Sequence, residues 1–200
     1  MAVQQRKKSK EQREFIISKT RGLFWEKGYA ETSMRDIARE CGFKPANIYN
    51  FFSNKESILF EILNEEMKQI IAAMEPYRDD DGIDPRLALR GVIDGHVRLT
   101  LGERRSSKLL FDSGLHNLSA ANRKKIIRLR DEYDSILSRI IRRGIDRGMF
   151  SISDEKIAVY SIASMIARTR IWYSPGGKYG VDEIVDFIYS FTLKGLGGRK

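Results

Sequence analysis

Helical spacing of apolar residues recurs along almost the whole chain, and no segment of useful length alternates apolar with polar residues. Alternation marks a half-buried strand, so its absence predicts an all-α fold. The 200 residues suffice for one large domain or two small ones with a real core. Charged residues interrupt every apolar run far short of the roughly 18 residues that a membrane span needs. The sequence therefore predicts a cytoplasmic helical protein that is not inserted in a membrane.

Capping residues and helix breakers divide this pattern into nine predicted helices. Ser33 with Asp36, and Ser53 with Glu56, have the capping-box spacing that starts a helix. The acidic segment 76–85 contains two prolines and a glycine and is predicted as a loop. The predicted helices are 10–27, a second from Ser33 to Gly42, a third from Pro45 through Phe52, a fourth from Ser53 to about Glu75, and then 85–102, 106–115, 119–148, 154–173 and 181–196.

Positive charge is concentrated at the start of the chain. Residues 1–55 hold twelve Lys or Arg against six Asp or Glu, whereas residues 56–200 hold twenty-four against twenty-one, so two thirds of the net charge of +9 lies in the first range. A concentrated positive field favours a polyphosphate partner, because each neutralised phosphate releases a counterion. The four cations within residues 6–10 fit a solvated basic tail equally well.

The segment 32–52 predicts two short helices joined by a tight turn. Such a motif needs a small residue where the helices cross, a glycine at the turn and an apolar residue that holds the second helix down, and Ala38, Gly42 and Ile48 meet these needs in order. The second helix then leaves its outward side chains free to enter a major groove, and asparagine is suited to reading adenine. These outward residues are Lys44, Ala46, Asn47, Tyr49 and Asn50. The segment therefore predicts a helix-turn-helix that binds double-stranded DNA.

The same region resembles the TetR family of bacterial transcriptional repressors. The resemblance covers about residues 10–62, in F-W-E-K-G-Y at the end of the first helix, T-S-M-R-D-I-A, the turn C-G-F, and I-Y-N-F-F-S-N-K-E-S-I-L. It implies a palindromic DNA operator. By resemblance, Thr32 and Arg35 contact phosphates, residues 44–50 face the groove, and Lys55 holds a phosphate. A helix N-terminus with a nearby ammonium is an anion site, which agrees with the role of Lys55.

The resemblance also implies a nine-helix, two-domain architecture. It places a three-helix DNA-binding domain at 1–55 and an effector-binding and dimerisation domain at 56–200. One departure from the family lies at the start of the recognition helix, where Lys44 and Pro45 stand in place of the usual Ser or Thr cap. The missing cap costs about 1 kcal/mol, partly offset by the preset φ of proline. The base preference of relatives therefore does not carry over to this chain.

The last thirty residues resemble the branch of the family that responds to acyl-CoA thioesters, where W-Y-x-P-x-G closes the penultimate helix. The resemblance implies a small-molecule effector, with an acyl-CoA favoured, that releases operator DNA. The candidate ligand-binding residues are His96, Phe111, His116, Tyr133, Arg168 and Trp172. Two alternatives stay open: a constitutive DNA-binding protein without an effector, and a regulator of another hydrophobic ligand such as a drug.

Arginines in the C-terminal helices are candidates for the phosphates of such an effector, because Arg binds phosphate in a bidentate geometry. Arg168 and Trp172 are four residues apart and share a helix face, which suits pairing a phosphate or carbonyl with an aromatic wall. Arg139, Arg142, Arg143 and Arg170 are available as well, although for the arginines between 139 and 147 a solvated helix face is the favoured interpretation.

The last predicted helix carries apolar residues on more than one side. Ile184, Phe187, Ile188 and Phe191 fill one face, while Val185, Tyr189 and Leu196 fall on another. A monomer buries only one such face, so the pattern predicts a twofold homodimer through the last two helices. The alternative is a helix buried wholly inside its own subunit.

No enzyme signature is present. His96 and His116 are twenty residues apart, Cys41 is the single cysteine, and no His-x-x-x-His pair, P-loop or G-x-S-x-G appears. We read Cys41 as core packing. The sequence predicts a regulator that has no catalytic residue, no metal and no cofactor.

Overall fold

The computed structural model describes the backbone of residues 2–102 and 114–197, with side chains from residue 7 onward. Within these ranges the chain is helical and contains no strand, which confirms the predicted all-α class. No described helix is both long enough and apolar enough to cross a membrane. The helices are α1 Ala2–Lys27, α2 Met34–Glu40, α3 Pro45–Tyr49, α4 Lys55–Met74, α5 Pro85–Leu101, α6 Ala120–Asp146, α7 Glu155–Trp172 and α8 Val181–Gly195, with 3-10 turns at Glu75–Tyr77 and Gly114–Asn117.

These eight α-helices in the described ranges compare with nine predicted. Most of the predicted helix 106–115 lies outside the described residues, and its last residues form part of the 3-10 turn Gly114–Asn117. The start of the first helix was predicted too late, because residues 4–14 carry no apolar side chain from which a period could be found. The segment predicted wholly as a loop begins with the 3-10 turn Glu75–Tyr77.

The cap predicted for α4 is wrong. Asn54 caps the helix: its Oδ1 accepts from the Ser57 amide at 2.8 Å. Glu56 instead accepts from the Ser119 amide at 3.1 Å and from Asn122 Nδ2 at 2.9 Å. Glu56 therefore makes a tertiary contact with residues 119 and 122 instead of the local capping box predicted with Ser53.

Contacts divide the chain into two compact units. The described residues of Met1–Glu66 and Arg104–Ile126 form the first unit, and those of Met67–Glu103 and Ile127–Lys200 form the second. In the first unit, Ile16 and Phe24 of α1 share a buried core with residues of α2 to α4. In the second, α5 packs against α7 and α8 around side chains such as Leu89 and Ile166.

Candidate nucleic-acid interface and effector site

A capping box starts α2. Ser33 Oγ accepts from the Asp36 amide at 3.1 Å, and Asp36 Oδ2 accepts from the Ser33 amide at 3.0 Å, as the spacing predicts. The Ser33 hydroxyl also donates to Asp36 Oδ2, and this bond, followed by the bond from the Ser33 amide and the charge of Arg39, lowers the pKa of the Asp36 carboxyl. A charged acceptor at a helix start is stabilised by the unpaired amides there, so α2 has a fixed first turn.

Gly42 makes the turn between α2 and α3, the predicted recognition helix. Its φ of 68° lies in the left-handed region, where a side chain is strained. The Phe43 amide donates to Ala38 O at 2.8 Å, closing the end of α2. Ile37, Ala38 and Ile48 are buried, so the two helices are held together by the residues that their spacing indicated.

Helix α3 rests on Ile48, which is completely buried. Its remaining side chains are on the surface, and Tyr49 is 53% exposed. Lys44 occupies the N-cap position without a side-chain cap and Pro45 follows it, which confirms the missing cap. The exposed residues are the five that were predicted to point outward, together with Pro45 of the predicted groove-facing range 44–50: Lys44, Pro45, Ala46, Asn47, Tyr49 and Asn50.

The three residues assigned to phosphates lie in different environments. Arg35 is exposed. Thr32 is only 1% exposed, and its hydroxyl donates to Gly28 O at 2.7 Å, so its side chain braces the turn after α1. Lys55 Nζ donates to Tyr29 O at 2.6 Å and to Ala30 O at 3.3 Å, and burial lowers the pKa of this ammonium. Lys55 thus ties the start of α4 to the turn that precedes α2.

Two candidate effector residues form a buried pair in the second unit. His96 Nδ1 of α5 lies 3.0 Å from the hydroxyl of Tyr133 of α6. Burial, and then the charge of Arg170, lower the pKa of His96 to about 3, so the imidazole is neutral at physiological pH. Burial raises the pKa of Tyr133. The pair is uncharged and polar inside an apolar core.

Arg168 and Trp172 lie elsewhere, in an apolar groove of about 800 Å³ between α7 and α8. Phe187 of α8 lines the same groove and is 68% exposed, while Trp172 is 56% exposed. The structure therefore does not bring the ligand-binding candidates together. His116 is exposed in the 3-10 turn of the first unit, and Phe111 lies outside the described residues.

Arg170 is the inward-facing arginine of α7. It is 5% exposed, its Nε donates to Ala167 O at 3.0 Å, and its charge reaches His96. Side chains two positions apart on a helix point in nearly opposite directions. Because Arg170 faces inward, Arg168 lies on the outer face of α7. The buried side of α7 could be recognised in the sequence from Ile166 and Ala167, the apolar residues that share a helix face with Arg170.

Three arginines of α6 that were candidates for effector phosphates bind carboxylates and carbonyls of the protein instead. Arg139 pairs with Asp79 at 2.6 Å, and Arg142 pairs with Glu155 at 2.6 Å. Arg143 donates to Tyr77 O at 2.9 Å and to Asp80 O at 2.6 Å. The acidic segment 79–81 is thus the partner of α6 arginines, and these cations are partly neutralised.

Comparison with known families accounts for both ends of the chain. Residues 16–62 match the model of "Bacterial regulatory proteins, tetR family", and residues 82–196 match "Tetracyclin repressor-like, C-terminal domain". The second match alone spans more than half of the chain. The chain belongs to the TetR family. It is a DNA-binding transcriptional regulator, and members of the family bind operator DNA as dimers.

Individual relatives extend over nearly the whole chain. The "Fatty acid metabolism regulator protein" of Bacillus subtilis is 27% identical over 187 residues, which are 92% of this chain and 95% of the relative. The crystal structure of the TetR family transcriptional regulator PfmR from Thermus thermophilus is 34% identical, with a TM-score of 0.82 over 90% of this chain and 98% of that one. AibR in complex with isovaleryl coenzyme A and operator DNA has a TM-score of 0.80 at 23% identity, over 90% and 97% of the two chains, and shows a shared fold.

Proposed function

We propose that this TetR-family protein is a repressor that grips a palindromic operator as a homodimer and is released by a small-molecule effector, with an acyl-CoA thioester favoured. The exposed face of α3 above the buried Ile48 carries the DNA half of the proposal. In functional terms, residues 1–55 read DNA and residues 56–200 bind the effector and the second subunit.

The DNA contacts follow from exposure. Residues 44–50, apart from Ile48, enter the major groove, and Asn47 and Asn50 are the adenine readers. Arg35 and Lys55 approach the phosphate backbone, while Thr32 supports them from within the turn. Two such heads reach successive major grooves about 34 to 36 Å apart.

The buried pair of His96 and Tyr133 supports an effector with an uncharged polar group. A thioester carbonyl accepts a hydrogen bond, and ligand pockets commonly combine apolar walls with a few polar groups. The name of the Bacillus subtilis relative points to the same acyl chemistry. His116 and Phe111 remain candidates, whereas we assign the groove of Arg168 and Trp172 to the second subunit.

Exposed aromatic side chains support a dimer through α7 and α8. The rings of Phe187 and Phe191 stack at 6.1 Å between centroids and both are exposed, and Phe187 lines the same groove as Trp172. A contiguous apolar surface of this kind is typical of an interface. A second copy of the chain, related by a twofold axis, covers it in the proposal.

The effector is tested by fluorescence anisotropy on an operator selected from random duplexes. A long-chain acyl-CoA is expected to lower operator affinity roughly 5- to 150-fold, whereas free CoA does not. Tyr133→Phe should blunt this release and keep operator affinity, and Tyr160→Phe, at an exposed tyrosine of α7, is the matched control. Failure of every acyl-CoA to release DNA removes the effector assignment and leaves the DNA-binding assignment standing.

The dimer is tested by sedimentation equilibrium. Phe187→Glu places a charge in the groove and is expected to yield monomers with weakened operator binding. Leu87→Glu alters a comparably exposed apolar residue on α5 and should leave the dimer intact. A Phe187→Glu protein that stays dimeric contradicts the assigned interface.

A further inference from the structure

Helix α1 extends well before the part of the chain that matches the DNA-binding family model. The match begins at residue 16, whereas α1 begins at Ala2. We name residues 2–14 the amino-terminal arm. From residue 4 to residue 14 it contains no apolar side chain, and residues 7–11 are exposed or nearly so. Hydrophobic burial therefore does not account for the helical order of residues 7–11.

Charge in the arm is strongly positive and only partly used inside the protein. Residues 4–14 hold five cations and two acidic residues. Arg13 pairs with Glu61 at 2.7 Å, and Lys10 lies 3.8 Å from Glu14. Among the residues whose side chains the structure describes, no carboxylate lies within 4.0 Å of the ammonium of Lys7 or Lys8. These two lysines are exposed and are therefore accessible to an external partner.

The contacts of α1 place the arm beside the recognition helix. Lys19 pairs with Glu40 near the end of α2 at 3.4 Å, and one turn earlier Phe15 packs on Phe43, with ring centroids 6.0 Å apart. Phe43 directly precedes Lys44, the N-cap of α3. Towards its amino terminus, α1 therefore passes the start of the recognition helix and continues beyond it.

The reach of the arm matches the width of the groove that α3 enters. At a rise of about 1.5 Å per residue, Lys8 lies about 10 Å along the helix axis from Phe15, and Lys7 slightly farther. A major groove is about 12 Å wide and is bordered by phosphates on both sides. The distance from Phe15 to these cations is no larger than the groove width, so in the proposed placement of α3 the arm can reach a phosphate strand that borders the groove.

We infer that the amino-terminal arm binds the DNA phosphate backbone beside the groove that α3 reads. The inference rests on the proposed placement of α3 in the major groove. The arm offers positive charge, and none of its exposed lysines is held by packing in a position to read a base. Its phosphate contacts therefore add affinity that does not depend on the DNA sequence. Neutralisation by phosphates also relieves the mutual repulsion of its lysines, which favours the helical arm when DNA is bound.

The test compares Lys7→Gln/Lys8→Gln with the wild-type full chain. Affinity is measured for the selected operator and for a scrambled 30-base-pair duplex between 50 and 200 mM salt, where each lost phosphate contact lowers the salt slope by about 0.9. The double variant is expected to lower the salt slope by about two on both duplexes, with about tenfold or greater loss of affinity at 0.1 M salt. The ratio of operator to scrambled affinity should stay unchanged.

Lys124→Gln/Lys156→Gln removes the same net charge from exposed lysines outside the arm and is the matched control. It is expected to leave the slope near that of the wild type. An unchanged slope in Lys7→Gln/Lys8→Gln overturns the inference and identifies the arm as a solvated tail. An equal fall in both variants also overturns it, because net charge alone then explains the effect.

Hydrogen exchange of the arm gives a second readout. The amides of residues 4–10 should exchange rapidly in the free protein, since a polar helix without burial frays, and should become protected on operator DNA. Exchange that does not change on DNA overturns the inference. A wild-type protein with no preference for any duplex contradicts the placement of α3 itself, which distinguishes the two failures.

Discussion

The two compact units treat their polar side chains in opposite ways. The first unit bonds Thr32 and Lys55 internally but displays the outward residues of α3 and Lys7 and Lys8 of α1 to solvent. The second unit uses them internally, since Arg139 and Arg143 bind the acidic segment 79–81, and His96 is bonded to Tyr133.

This difference shows why a count of basic residues does not locate a binding surface. A guanidinium that already has a carboxylate and carbonyl partners has less charge to offer a phosphate, and an exposed lysine without such partners offers all of it. Availability, set by tertiary contacts, decides which cations can serve an external partner. The following substitutions test both sides of the comparison.

The largest effect is expected at the displayed face of α3. Asn47→Ala/Asn50→Ala should reduce discrimination between operator and scrambled DNA by about 1,000-fold, because two base contacts are lost and each is worth about 1–3 kcal/mol. Competition binding with both duplexes measures the ratio. Asn64→Ala in α4 is the control, and equal discrimination in the two proteins would refute the groove assignment.

A smaller effect is expected at the internal pair of the second unit. The pKa of His96 is about 3 in the fold against 6.5 ordinarily, so below pH 6.5 the unfolded chain binds a proton that the folded chain does not. The free energy of unfolding should fall as pH is lowered, by roughly 3 kcal/mol between pH 7 and pH 4. Urea titrations at each pH should show a flatter dependence of the unfolding free energy on pH in His96→Gln than in the wild type.

Removal of an internally used arginine should cost stability without affecting DNA contacts. Arg143→Ala loses bonds to two backbone carbonyls, and the free energy of unfolding is expected to fall by about 2 kcal/mol. Arg142→Ala breaks the more exposed pair with Glu155 and should cost less than about 1 kcal/mol. Denaturant titration measures both, and equal losses would contradict the distinction between buried and exposed pairs.

The smallest effect is expected at Glu56, a polar residue of the first unit that is bonded internally. Its carboxylate accepts from the Ser119 amide and from Asn122 Nδ2, so Glu56→Gln should weaken the join between α4 and α6 by about 1 kcal/mol. Faster exchange of the Ser119 amide is the measure. Glu61→Gln in the same helix is the control and should leave that amide unchanged.

Local signals in the sequence were enough to place the DNA-reading element. The capping box of Ser33, the turn at Gly42 and the buried Ile48 each depend on residues within a few positions of one another. Helix caps, left-handed turns and helical periodicity are short-range effects, so they survive in the sequence. The all-α class follows from the same periodicity.

Long-range contacts decided what the sequence did not. Spacing put Arg168 and Trp172 on one helix face, but only packing of α7 against α5 shows that this face is outward and that Arg170 is inward. In the same way, the partners of Glu56 and Lys55 are distant in sequence. The sequence by itself determined the helices and the recognition element, because those depend on neighbours along the chain. The tertiary structure alone decided which charged side chains remain available, because burial and pairing depend on residues that the fold brings together.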